Sequence, residues 1–185
     1  QAILAERVID ATGDADIAHL AGAPWRMAPK SELMGVTVSF SLSGVDHKRF
    51  LEYVHSNPSK YKDWADETSG KEDDMFSPYL SEPFESAKKA GEIPEDIEIA
   101  GTWSRLSPHG DATYINVVYM LGIDPTDIRD LTRGEIEGRQ QAMWAVDALK
   151  KYTPGFEKAS LRTFGSTLGT RESRKIIGRT NLTGD

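Results

Sequence analysis

Apolar and polar residues alternate across residues 34–42 (MGVTVSFSL). Val36, Val38, Phe40 and Leu42 fall on one side, and Thr37, Ser39 and Ser41 on the other. A period of two marks a half-buried strand. Residues 97–106 and 113–121 read as a hairpin around the turn Ser107-Pro108-His109-Gly110-Asp111, whose residue types favour a tight reversal. The second arm carries Tyr114, Val117, Val118, Tyr119 and Leu121, β-branched and aromatic side chains suited to a pleated surface. Residues 159–168 are a further strand candidate.

Helical spacing takes over elsewhere. Phe50, Leu51 and Val54 predict a helix over 46–56, with Pro58 beyond its end, and a shorter helix over 84–90 stops at Gly91. The longest predicted helix covers 132–152. Thr132 and Glu135 make a capping box at its start, and Pro154-Gly155 ends it. Ile136, Met143, Val146 and Leu149 form its expected buried stripe, with Glu137, Arg139, Gln140, Asp147 and Lys150 toward water. Gly134 and Gly138 weaken the first turns and point to close packing there. The expected fold is α+β: a mostly antiparallel sheet packed on one face by the long helix. Residues 61–98 are the least regular part, a polar excursion interrupted by Trp64, Met75, Phe76 and Tyr79.

The N-terminal stretch 7–24, RVIDATGDADIAHLAGAP, has a different pattern. A short apolar strand (Val8, Ile9, Ala11) runs into the turn Ala11-Thr12-Gly13-Asp14, and a helix-like segment over 17–21 follows, capped by Asp14 or Asp16. Gly13 lets a backbone approach a ligand closely, and a helix N-terminus offers N–H groups to an anion. On these residues alone a nucleotide turn and a plain βα turn with an Asp cap are equally open.

Composition narrows the classes. The 185 residues are 38% hydrophobic, enough for one domain, or one domain plus part of another. With 22 Lys+Arg against 29 Asp+Glu, the net charge is −7, which argues against a nucleic-acid partner. The absence of cysteine removes disulfides, thiolate metal sites and a Cys nucleophile, and fits a reducing compartment, so a cytoplasmic location is expected. No apolar run is long enough to span a membrane. The chain opens at Gln1 and stops at Asp185 without an evident boundary at either end. It is therefore expected to be a piece of a longer protein.

Few short motifs in the chain carry chemistry. His19, His47, His55 and His109 have no metal-ligand spacing, and there is no GxSxG elbow. Asp14 and Asp16 resemble the start of a calcium loop, but its twelfth position is Trp25 instead of Glu. Asn181-Leu182-Thr183 matches a glycosylation sequon, a short pattern of little weight. Arg171, Arg174, Lys175 and Arg179 pack four cations into nine residues. A helical turn would set Arg171 beside Arg174 and Lys175, whereas an extended course would put them on alternate faces. Paired guanidiniums can grip a carboxylate or steady developing negative charge. Alternatively Glu172 pairs with a neighbouring Arg in a solvated cluster, the reading favoured on these residues alone.

Two stretches together resemble the FAD-dependent oxidoreductases. RVIDATGDADIAHLAGAP is similar to the strand-turn-helix that follows the family's N-terminal dinucleotide-binding unit. The later region resembles the family in an asparagine-bearing strand (INVVYM), a DLTRxExxGR helix, PGFE, and a GxRESRxIxGxxxLT segment. Both matches occur in the family's order and spacing. The phosphate-cradling GxGxxG is not in these residues. The resemblance therefore implies the substrate or cap domain of a flavoenzyme, with the edge of its Rossmann-type FAD domain attached. Residues 1–30 would be that edge, 31–170 the substrate domain, and 171–185 the return toward the FAD domain.

By the same resemblance Thr12, Gly13 and Asp14 would line the FAD, and Arg171 and Arg174 would be catalytic residues where the cap meets the flavin. The expected partners are the missing FAD-binding domain of the same polypeptide and a small-molecule substrate. This piece would not retain FAD or turn over alone. Two competing functions stay open: a non-catalytic module binding carbohydrate through the four Trp, and a cofactor-free lyase working through His109 and Tyr residues.

Overall fold

The computed structural model describes residues 3–56, 81–102 and 105–180. Pro58, most of the polar excursion and the sequon lie outside the described residues. In chain order the elements are α1 (Asp16–Leu20), β1 (Trp25–Arg26), β2 (Val36–Ser43), α2 (His47–Ser56), α3 (Glu82–Lys89), β3 (Ile99–Thr102), β4 (Arg105–Leu106), β5 (Ala112–Met120), α4 (Ile128–Tyr152), β6 (Ser160–Phe164) and β7 (Lys175–Ile176).

The predicted α+β fold is present. The main sheet has the order β3-β5-β2-β6, with β4 also paired to β5, and all of its pairings are antiparallel. Val36, Val38, Phe40 and Leu42 are buried on one face of β2 while Ser39, Ser41 and Ser43 stay half-exposed. Thr37 departs from the alternation. It is buried because the chain after β6 crosses it, with Thr37 and Gly169 exchanging backbone hydrogen bonds of 3.1 and 2.8 Å. Two register shifts let β5 advance three residues for two of β2, between Val38 and Phe40 and again between Phe40 and Leu42. Val117 and Val118 are consequently both buried, against simple alternation.

The long helix is correct in kind but differs in start and face. Asp127, not Thr132, is its N-cap, accepting from the Arg129 N–H at 2.8 Å. The Thr132 hydroxyl instead donates back to the Ile128 carbonyl. Ile136 is 67% exposed and Met143 38%. The face on the sheet is made of Gly134, Gly138, Ala142, Ala145, Val146 and Leu149. A Cβ at Gly138 would overlap Val38 and come within 2.6 Å of Met120 Cε, so the close approach expected from the two glycines is real. Small residues let the helix backbone descend onto the sheet. Ile136 and Met143 are left on its flank, where they line a surface groove with Trp144 and Phe164.

α2 is immediately preceded by Asp46, whose carboxylate accepts from the Arg49 N–H at 3.1 Å. Its Phe50 is fully buried against Phe156, with ring centres 5.0 Å apart. Asp130 ties the first turn of α4 to the rest of the molecule. It pairs with Lys30, accepts from the Asp124 N–H at 2.8 Å and meets Arg133 at 3.3 Å. The Lys30 ammonium, then the Asp124 N–H and the Arg133 guanidinium, pull its carboxyl down to about 2.

Candidate functional site

Among the described residues, 3–11 form no strand. The predicted apolar run has no ladder partner, and Ile3, Leu4, Val8 and Ile9 are 72–99% exposed. The turn and short helix after it are formed. Gly13 has φ +83° and Ala15 φ +56°, both left-handed, which reverses the chain into α1. Asp14 and Asp16 do not cap that helix. Asp10 does, accepting from the Ala18 N–H at 2.8 Å and from the Thr12 N–H and hydroxyl at 3.0 and 2.7 Å. The Thr12 hydroxyl in turn accepts from the Asp16 N–H at 2.9 Å. The Thr12 hydroxyl and N–H, with the Ala18 N–H, hold the Asp10 carboxyl below its ordinary range. Asp10 was missed in the sequence, although Asp-x-Thr is a recurrent side-chain-to-backbone turn.

α1 buries none of its residues, so something else must fasten it to the sheet. The 171–176 segment supplies that fastening. It runs extended instead of helical, and its side chains diverge. Arg171 is exposed and makes no ion pair with a described residue. Glu172 turns back to accept from the Met34 N–H at 3.2 Å and pairs with Lys175, not with an arginine. Lys175 first, then the Met34 N–H, keeps its carboxyl below the ordinary range. The Ser173 hydroxyl donates to the Asp14 carboxylate. Arg174 Nη1 donates to the Asp16 carboxylate at 2.6 Å and to the Asp14 carbonyl at 3.3 Å. Its guanidinium lies 5.9 Å from the Trp25 ring centre, and His19 meets the same ring edge-on at 5.3 Å. β7 pairs antiparallel with β1, Arg26 opposite Lys175 and Trp25 opposite Ile176.

The residues singled out in the sequence are thus partly brought together. Asp14 and Arg174 meet directly. Thr12 is one hydrogen bond away through Asp16. Gly13 is at the open tip, where an added Cβ would find nothing within 4 Å. Arg171 stands apart, and so does His109, an exposed residue of the Ser107–Asp111 reversal. Trp25 is engaged by Arg174 and His19, and Trp144 packs against the core. Ser173 had drawn no site role from the sequence, and Trp25 only a share in the carbohydrate alternative, because only the fold places them beside the turn.

Ser173 and Arg174 thus clamp a turn with a left-handed glycine to the segment that leads into β7. The model of the FAD dependent oxidoreductase family matches residues 1–185, and the chain belongs to that family. Membership assigns an oxidoreductase-type function, with FAD as the family's cofactor. No curated protein and no solved structure matches the chain. Among the described residues, no helix is long and apolar enough to cross a membrane.

FAD has a flat ring system and a doubly charged diphosphate, and the two parts fit these residues differently. The bare, outward Gly13 backbone fits a flat contact. The diphosphate does not fit. The Asp16 and Ala18 N–H groups of α1 are occupied by Thr12 and Asp10, and Asp10, Asp14 and Asp16 surround the turn with carboxylates.

Proposed function

We propose that this chain is the substrate or cap region of an FAD-dependent oxidoreductase, carrying one edge of the flavin site. The observation that supports it is the attachment of the Ala11-Thr12-Gly13-Asp14 turn to the sheet through Ser173 and Arg174. Residues 1–30 act as the edge of the FAD domain, 31–170 as the substrate domain, and 171–185 as the return toward the FAD domain. The exposed apolar residues Ile3, Leu4, Val8 and Ile9 suit a strand completed by a dinucleotide-binding unit of the same polypeptide. That unit would hold the diphosphate, and FAD, when bound, would supply the electron transfer.

Gly13 allows the turn to approach the cofactor, while Thr12 holds its shape through hydrogen bonds with Asp10 and Asp16, and Asp14 ties it to Ser173 and Arg174. Arg171, exposed and without an ion pair to a described residue, is a cation available to an anionic group, either a substrate carboxylate or a reduced flavin ring. Neither FAD retention nor turnover is expected of these 185 residues alone. The test is to produce them joined to a GxGxxG-bearing βαβ unit. The joined protein should purify yellow, with a flavin spectrum and a small-molecule substrate that bleaches it. A colourless, FAD-indifferent joined protein would overturn the reading.

A further inference from the structure

Arg171 and Arg174 are three residues apart and look like a matched pair, but the fold gives them opposite surroundings. Arg171 reaches solvent. The Arg174 side chain is 12% exposed, and its guanidinium is shared among the Asp16 carboxylate, the Asp14 carbonyl and the Trp25 ring. Ser173 is also buried, and its hydroxyl is committed to Asp14. The two contacts bracket the left-handed Ala15 and lie beside Gly13. α1 buries no side chain of its own, so its place relative to the sheet depends on this bracket and on the short β1–β7 ladder.

We propose that Ser173 and Arg174 are positioning residues: a latch that fixes the Thr12–Asp14 turn against the sheet and sets where Gly13 presents its backbone. Arg174 therefore does its work through the turn and touches no substrate. The latch is a property of this chain. Its relevance to the cofactor rests on the proposed function, so its test is made without FAD.

The test is amide hydrogen exchange on the 185-residue chain, comparing Asp16 to Ala23 with Ala142 to Leu149. Arg174→Ala should speed exchange in the first group by about tenfold or more, the loss expected for a charged hydrogen bond, and Ser173→Ala by several-fold. Arg171→Ala should change neither group, and Arg174→Lys should recover part of the protection. If Arg174→Ala fails to fold, Ser173→Ala and Arg174→Lys carry the comparison. Unchanged exchange around α1 in both of those variants would overturn the latch. So would an equal loss in the 142–149 group, which would make the residues general stabilisers. A chain with an intact latch but no flavin when joined to the βαβ unit would overturn the proposed function and leave the latch standing.

Discussion

Arg174 Nη1 lies 2.6 Å from the Asp16 carboxylate across a sequence separation of 158 residues, and the guanidinium side chain is seven-eighths shielded from water. Asp16 itself is half-exposed. Because one member is shielded, removing the other leaves a charge short of partners, which costs more than an open surface pair. Asp16→Ala should therefore lower stability by about 1–2 kcal/mol, against less than about 0.5 kcal/mol for Arg171→Ala. Urea titrations of the two variants check this. Equal effects would place both arginines in one surface cluster.

Asp130 gives the protein a defined acid sensitivity. Its folded carboxyl titrates at about 2, below the ordinary 3.8, so its stabilising contribution is complete above about pH 4 and is lost as the pH falls toward 2. Asp130→Asn should destabilise by about 1–3 kcal/mol at pH 7. The gap between variant and parent should close below pH 3. Denaturant melts across pH 2 to 7 measure it, and a gap independent of pH would remove the charge from the explanation.

The helix-to-sheet contact at Gly138 makes an unusual prediction for a helix interior. Alanine normally improves a helical glycine by about 1 kcal/mol. Here the new Cβ would run into Val38, a stiff side chain held in the sheet. Overpacking costs about 1–3 kcal/mol, so Gly138→Ala should come out neutral to destabilising. Ile136→Gln on the exposed flank should stay within about 0.5 kcal/mol of the parent, whereas Leu149→Ala should lose about 2–5 kcal/mol. Thermal melts of these three variants test the helix face directly.

The same helix shows what the sequence made legible. The β2 alternation, the hairpin reversal and the existence of α4 follow from local pattern, and all three are present. The face of α4 follows only in its second half, where Val146 and Leu149 are buried as expected; Ile136 and Met143 are not, because periodicity weighs large apolar side chains. Here the contact is made by Gly134, Gly138, Ala142 and Ala145, which bury by admitting a neighbour. The real start of α4 was hidden in the same way. Asp127 and Thr132 are both good caps, and the choice between them depends on where the Gly122–Asp124 turn delivers the chain.

At the site, the family resemblance put both the 7–24 stretch and the 171–179 stretch beside the flavin. It could not show that they bond to each other, because no local rule joins Asp14 to Ser173 or Asp16 to Arg174. Asp10 was legible in principle from its spacing to Thr12. It went unread because Asp14 and Asp16 stand closer to the helix they were expected to cap. Arg171 and Arg174 looked equivalent in the sequence, since burial is what separates them.

The central claim is that the turn meets FAD at an edge while another unit holds the diphosphate. Calorimetric titration of FAD into the 185-residue chain, alongside the same chain joined to a GxGxxG-bearing βαβ unit, tests it most directly. No measurable binding to the chain alone and stoichiometric binding to the joined protein, weakened by Arg174→Ala, is the predicted result. Tight FAD binding by the 185 residues alone would contradict it, because the diphosphate would then have a cradle among Asp10, Asp14 and Asp16 that the geometry does not provide.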